Sequence, residues 1–220
     1  MKKNTQIIEP NTYYHIYNRG INSDIIFKQT RNYYYFLKLY AKYIPQIADT
    51  YAYCLLGNHF HILIRTKSVE EILNHFNAEE VQNLFNVKVK NTITKSASFY
   101  ISNQFAKLFN SYSQSFNKTY NRTGSLFEHP FRRIPVMNEQ YFTSLIYYIH
   151  ANPQNHGICN DFTEYTFSSF NAFLLEKKTQ LKRNDVLEWF GSKEQFIRFH
   201  KENTTLFHKS EECRNLFEHD

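Results

Sequence analysis

The stretch Asn58-His59-Phe60-His61-Ile62-Leu63-Ile64 decides how the rest of the chain is interpreted. It follows an aromatic and aliphatic run, Tyr51 to Gly57, and both segments are typical of buried strands. Because side chains alternate between the two faces of a strand, His59 and His61 are predicted to share one face. Two neighbouring imidazoles form a two-nitrogen platform for a metal ion. The alternative is a pair of histidines facing other polar groups at a sheet edge.

A second informative stretch, Tyr147 to Pro153, closes a predicted helix that Asn138 could cap. Steps of about 100° per residue place Tyr148 and Asn152 in one row, and they predict that Tyr147 faces solvent. Proline disfavours helix at the residue before it, so Asn152 is expected at a frayed end, free to reach outward. The alternative is an amphipathic helix with an interfacial tyrosine and a capping asparagine. Four apolar residues form the predicted core stripe of this helix: Phe142, Leu145, Ile146 and Ile149.

Three blocks of the sequence, taken together, resemble a known family. They are Gly-Asn-His-Phe-His-Ile-Leu-Ile from Gly57, Arg-Thr-Gly-Ser-Leu-Phe from Arg122, and Tyr-Ile-His-Ala-Asn-Pro from Tyr148, with Gly157 after the last. In this order and spacing the blocks resemble the single-tyrosine transposases with a His-hydrophobe-His (HUH) motif. The resemblance is closest to the REP-associated tyrosine transposases, and it runs from about residue 13 to residue 170.

The resemblance implies a role for four residues. It implies that His59 and His61 bind a divalent metal, that Tyr148 is the nucleophile, and that Asn152 completes the protein ligands of the metal, a position where some relatives use Gln. The implied activity is cleavage and rejoining of single-stranded DNA near hairpins of REP-like palindromes, through a 5′-phosphotyrosine intermediate. The alternative is a non-catalytic hairpin-binding protein derived from a transposase. Imidazole binds several metals, whereas amide and phosphate oxygens suit Mg²⁺ or Mn²⁺, and the ligand types alone leave zinc open.

Basic residues cluster around the Gly124 turn and indicate a surface for DNA. They are Lys118, Arg122, Arg132 and Arg133. The alternative is a solvated charged rim. A net charge of +6 and an aromatic content of 18% agree with a nucleic-acid partner, since cations bind phosphates and rings stack on unpaired bases. A phosphoesterase with paired histidines would need two His-x-Ser/Thr motifs, and the chain contains only one, His208-Lys209-Ser210.

The order of predicted elements indicates the fold class. Strand, helix, two strands, helix, strand and helix suit an α+β sandwich with a mostly antiparallel sheet. The family resemblance implies a ferredoxin-like or RRM-like sandwich with helices on one face. We predict a catalytic domain over residues 1–160 and a mostly helical C-terminal extension over residues 161–220, partly packed on the core. The predicted helices are 30–47, 69–80, 98–120 and 138–152, with one or two more in 184–202.

Composition indicates where in the cell the protein is expected. The chain of 220 residues has three cysteines with no Cys-x-x-Cys spacing, which suggests neither a disulfide framework nor a zinc knuckle. No apolar run approaches the ~20 residues of a membrane span, and the polar start leads into no signal-like segment. We therefore expect a cytoplasmic, nucleoid-associated protein, as a monomer or homodimer.

Overall fold

The computed structural model describes residues 7–75 and 90–207, and the described part contains one four-stranded antiparallel sheet. Its strands are β1 (Tyr13–Arg19), β2 (Ala48–Leu55), β3 (His59–Thr66) and β4 (Arg132–Pro135), in the spatial order β2-β3-β1-β4. The predicted α+β class with an antiparallel sheet is confirmed. The long non-local pairing of β1 with β4 completes the sheet on one side.

The helices connect and cover these strands. They are α1 (Thr30–Tyr43), α2 (Val69–Leu73), α3 (Lys90–Thr119), α4 (Glu139–Asn155), α5 (Phe170–Leu174), α6 (Arg183–Trp189) and α7 (Lys193–Phe207), with 3-10 turns at Ile21–Ser23 and Phe162–Glu164. The helix predicted over 69–80 begins as expected, and residues 76–80 lie outside the described residues. Throughout the described ranges, every helix is too short or too polar to cross a membrane.

Helices cover both faces of the sheet. On one face, Tyr14 and Ile16 of β1 join Ile62 and Ile64 of β3 in a core with α1 and α3. The prediction of helices on one face describes α1 and α3, but α4 departs from it and lies on the opposite face. The opposite face carries Leu63 and residues of β2, and it is covered by α4 and the C-terminal helices. Both faces of β2 and β3 are apolar over much of their length, so each needs a covering layer.

Helix α4 begins at its predicted cap and buries its predicted stripe. The Asn138 side chain accepts a hydrogen bond of 2.7 Å from the backbone N–H of Tyr141. All four stripe residues, Phe142, Leu145, Ile146 and Ile149, are buried in the core beneath the sheet. The prediction that Tyr147 faces solvent is wrong, because α7 covers the outer side of α4. The Tyr147 ring is 1% exposed and packs against Phe199 and His200.

The end of α4 also differs from the prediction. Asn152 is fully buried, and the helix continues through Pro153 to Asn155. Proline in the last turn removes one backbone donor without ending the helix there. The helix then ends where Gly157 adopts a positive φ of 66°, which a glycine tolerates best. Asn152 therefore points into the protein from a fixed helical turn.

A buried chain of hydrogen bonds holds α7 against α4. His200 Nδ1–H donates to the carbonyl of Phe196 at 2.8 Å, so His200 Nε2 accepts from His150 Nδ1–H at 3.0 Å. His150 Nε2 then accepts from the Ser169 hydroxyl at 2.8 Å, and that hydroxyl accepts from the N–H of Tyr53 at 2.9 Å. Every member is satisfied with both histidines neutral, and burial lowers the pKa of each. Residues 162–204 thus share a core with α4 and β2, whereas the domain boundary at residue 160 stays a prediction.

Candidate active site on the outer face of strands β1 and β3

Strand register places a row of polar side chains on one face of the sheet. In β3, His59 and His61 alternate with Phe60 and Ile62, which belong to the core on the other face of the sheet, as the sequence predicts. In the antiparallel neighbour β1, Tyr17 lies opposite His61, and Arg19 lies opposite His59. Residues directly opposite one another point to the same face. The two histidines are therefore flanked by a tyrosine and an arginine.

Helix α4 lies across this face and brings a second row to it. Tyr148, Asn152 and His156 are spaced four residues apart, which places them on one side of the helix. The Tyr148 ring stands at 82° to the His61 ring, with centroids 5.4 Å apart. The His156 ring lies 4.9 Å from the His59 ring. Residues distant in the chain thus meet where the helix crosses the strands.

His59 and Asn152 make the contact that joins the two rows. The Nδ1–H of His59 donates to Asn58 Oδ1 at 2.6 Å, which leaves the lone pair of the neutral ring on Nε2. That nitrogen lies 3.2 Å from Asn152 Oδ1, another lone-pair donor. Two such atoms repel each other at this distance unless a proton or a cation lies between them, or the amide rotates by 180°. This arrangement is suited to a shared cation.

Burial keeps His61 neutral, and a third histidine, His15, orients it. Its Nδ1 lies 3.0 Å from Nε2 of His15, and the two rings are stacked with centroids 5.2 Å apart. Full burial lowers the pKa of His61 well below its usual value, and protonation of the neighbouring His59 or His156 ring would lower it further. A neutral imidazole fixed by a hydrogen bond through one ring nitrogen is the form that binds metals through the other.

The donor set fits a divalent metal ion. His59 and His61 would supply nitrogen, which suits zinc and other transition metals, and Asn152 would supply oxygen, which suits Mg²⁺ and Mn²⁺. With Oδ1 of Asn152 turned to His59, its Nδ2 is buried without a hydrogen-bond partner, and a cation on Oδ1 would favour this orientation of the amide over the rotated one. Within residues 7–75 and 90–207, no three histidine, cysteine or acidic side chains are arranged to hold a metal, so the amide would have to be the third ligand.

A cavity of about 200 Å³ opens beside the histidines. Its wall includes His59, His61 and His156 together with Tyr17 and Arg19. The volume is sufficient for a phosphate group with its sugar oxygens. Tyr148 does not line this cavity; it contacts the ring of His61, which does, and it is 8% exposed.

The four predicted DNA-binding cations do not form one patch. Arg122 pairs with Asp24 at 3.2 Å and donates to the Ser125 carbonyl at 2.7 Å, so it holds the Gly124 turn together. Lys118 is exposed in the last turn of α3. Their contribution to DNA binding stays a prediction, and for Arg122 a structural role accompanies it.

Arg132 and Arg133 are adjacent in β4 and point to opposite faces. Arg132 pairs with Tyr17, so its side chain lies on the face that carries the histidines. Arg133 pairs with Ile16 on the other face, where its guanidinium lies 3.9 Å from the centre of the Phe131 ring. Burial lowers the pKa of Arg133. Arg132 is therefore the better placed of the two to contact a bound strand.

Sequence reasoning missed several residues of this site. His15, Tyr17 and Arg19 alternate along β1, and that spacing was a signal that they share a face. His156 follows Asn152 by one helical turn, which was also visible in the sequence. Neither pattern could show that these residues face His59 and His61, because the pairing of β1 with β3 joins segments far apart in the chain.

Comparison with known proteins gives a limited result. No family model matches the chain, and no curated protein matches its sequence. A solved structure described as "Structure of the REP associates tyrosine transposase bound to a REP hairpin" aligns with a TM-score of 0.46 and 15% identity, covering 79% of this chain and 85% of that chain. At this level of similarity, an account of function has to come from the residues of the site.

Proposed function

We propose that the chain is a metal-dependent enzyme that nicks and rejoins single-stranded DNA, of the single-tyrosine HUH transposase type. The observation that carries the proposal is the meeting of Tyr148 and Asn152 of α4 with His59 and His61 of β3 on one sheet face. A nucleophile and a phosphate-activating centre are the two parts that such a reaction needs.

Tyr148 is proposed as the nucleophile. Its hydroxyl gives up its proton to solvent, and its oxygen attacks the phosphorus atom and forms a tyrosine–phosphate bond. The bond from phosphorus to the 3′ oxygen breaks, and that oxygen takes up a proton from solvent, so the proton count is unchanged. The products are a 5′-phosphotyrosine and a free 3′-hydroxyl. Attack by a 3′-hydroxyl on the adduct reverses the sequence and releases Tyr148, so rejoining requires no external energy source.

His59, His61 and Asn152 are proposed to hold the divalent ion, Mg²⁺ or Mn²⁺, which when bound draws negative charge from the phosphate oxygens. His15 would position His61 through the 3.0 Å contact, and Asn58 would position His59 through the 2.6 Å contact. The proposed substrate is single-stranded DNA with a hairpin. The net charge of +6 and the cavity beside the histidines are compatible with that substrate.

Covalent trapping tests the proposal. The wild-type protein is incubated with Mn²⁺ and a hairpin oligonucleotide from the chromosomal sequence beside its gene, labelled at the 3′ end. We expect a labelled protein band that survives a denaturing gel, because the tyrosine keeps the 5′-phosphate of the labelled fragment. Tyr148→Phe should give no such band. Tyr147→Phe is the matched control, since that ring lies under α7, and it should give a normal band.

Two results would contradict the proposal. The first is an adduct that persists in Tyr148→Phe, and the second is a wild-type protein that binds the hairpin without forming any adduct. The second result would favour the alternative of a non-catalytic hairpin-binding protein.

A further inference from the structure

We propose that Arg19 binds the backbone phosphate of the DNA strand at the histidine site. This inference rests on the proposed function for the identity of its ligand. Arg19 is directly opposite His59 in the β1–β3 pairing, so both side chains point to the same face. Both also line the same cavity. Among the residues of that wall, Arg19 is the one whose side chain carries a permanent positive charge.

The backbone of Arg19 is rigidly placed. Its N–H donates to Asn18 Oδ1 at 2.9 Å, and its carbonyl accepts from the N–H of Glu128 at 2.9 Å. The next residue, Gly20, donates its N–H to the carbonyl of Asn58 at 2.8 Å. A side chain at position 20 would lie 2.1 Å from the Asp24 carbonyl oxygen, so the turn closes only with glycine there. The base of Arg19 is thus fixed to the segment that carries His59.

The guanidinium of Arg19 has a weak partner. Its Nε lies 3.4 Å from Glu128 Oε1, and its Nη2 donates to Ser23 Oγ. The side chains of the ion pair are 38% and 37% exposed, and a pair so exposed to water contributes little to stability. A phosphate accepts two parallel hydrogen bonds from a guanidinium and competes well with such a carboxylate. Glu128 therefore orients Arg19 before DNA binds and yields to the phosphate.

The alternative is that Arg19 only stabilises the loop through Glu128. The phosphate-binding role and the structural role predict opposite effects on DNA binding when the charge of Glu128 is removed. If Arg19 binds phosphate, removal of the Glu128 charge frees the guanidinium and strengthens DNA binding. If the ion pair is structural, loss of either partner disturbs the same loop and weakens binding to a similar extent.

The experiment measures binding without chemistry. Each variant is made on the Tyr148→Phe background, and the affinity for the fluorescent hairpin oligonucleotide is measured by anisotropy over a range of salt concentrations. Arg19→Ala should weaken binding roughly tenfold or more, and it should reduce the salt slope by about 0.7, the value for one phosphate contact on a single strand. Arg19→Lys keeps the charge and should recover part of the affinity. Glu128→Gln should tighten binding by about twofold.

Arg198→Ala provides the matched control. It removes the same charge from an exposed position on α7, where Arg198 pairs with Glu202. Its affinity should stay close to that of the parent protein. The inference is overturned if Arg19→Ala behaves like Arg198→Ala, or if Arg19→Ala and Glu128→Gln both weaken binding equally. Because no step of this assay needs catalysis, its outcome is separate from whether the covalent adduct forms.

Discussion

His59 Nε2 and Asn152 Oδ1 lie 3.2 Å apart, although the two residues are separated by 93 positions in the chain. The contact joins strand β3 to helix α4 and brings two lone-pair donors together. It also connects the proposed metal ligands to the helical turn that carries Tyr148. A change at either residue should therefore alter metal binding before it alters the fold.

Substitution of Asn152 should tune the affinity for a metal ion. Asn152→Asp replaces the amide oxygen with a charged carboxylate, so Mn²⁺ should bind roughly tenfold more tightly. Asn152→Leu removes the oxygen at similar volume, so Mn²⁺ should bind roughly tenfold more weakly. Electron paramagnetic resonance titration of Mn²⁺ into Tyr148→Phe protein measures both. Equal Mn²⁺ affinity in the Asp and Leu variants would remove Asn152 from the ligand set.

The two histidines should respond differently to replacement by alanine. His61 is fully buried and bonded to His15, whereas His59 is only partly buried. Both variants should lose divalent-ion-dependent adduct formation. His61→Ala should also lower the free energy of unfolding by about 1–3 kcal/mol, since it leaves a buried partner unsatisfied. His59→Ala should stay within about 1 kcal/mol of the wild type.

Adduct assays and urea unfolding, run on the same preparations of these variants, separate the loss of the site from the loss of the fold. Retention of full, metal-dependent adduct formation by folded His59→Ala would exclude His59 as a ligand.

Replacement of Arg132 should affect mainly DNA binding, whereas replacement of Arg133 should affect mainly stability. Arg132→Ala should weaken binding of a hairpin oligonucleotide and reduce its salt dependence, because its side chain lies on the histidine face. Arg133→Ala should change that binding little and lower the unfolding free energy by about 1 kcal/mol, because it removes packing and a cation–π contact on Phe131. Anisotropy and thermal unfolding of the two variants test this. If Arg133→Ala weakens DNA binding and Arg132→Ala lowers stability instead, the two side chains point to the opposite faces from those described.

Stability should fall in mild acid because of the buried histidine chain. Burial lowers the pKa of His200 to about 4 and the pKa of His150 in the same direction. The unfolded chain takes up these protons near pH 6.5, before the folded protein does, so the unfolded state gains stability as the pH falls. For His200 the loss begins near pH 6.5, is complete near pH 4, and amounts to about 3 kcal/mol.

Urea unfolding of the wild type and His200→Gln between pH 7 and pH 4 measures this effect. Glutamine keeps a donor and an acceptor but does not titrate, so the variant should lose less stability than the wild type over that range. An identical decline in both proteins would show that His200 does not contribute to acid unfolding.

The periodicity of the sequence was sufficient to predict which side chains share a face of a strand or one side of a helix. Alternation along β3 placed His59 and His61 on one face, and helical spacing placed Tyr148 and Asn152 in one row. Asn138 was correctly predicted to cap α4. Each of these conclusions concerns neighbours within a single strand or helix, where the geometry of the backbone fixes which side chains point the same way.

Only the tertiary structure decided what covers each face. Tyr147 was predicted to be exposed and is buried, because α7 returns from the far end of the chain to cover α4. Asn152 was predicted to reach outward, yet it lies buried beside His59. Arg19 was not selected at all, since its position opposite His59 depends on the pairing of β1 with β3. Contacts of this kind depend on the burial of apolar surface between distant segments, and the spacing of residues within one segment does not specify them.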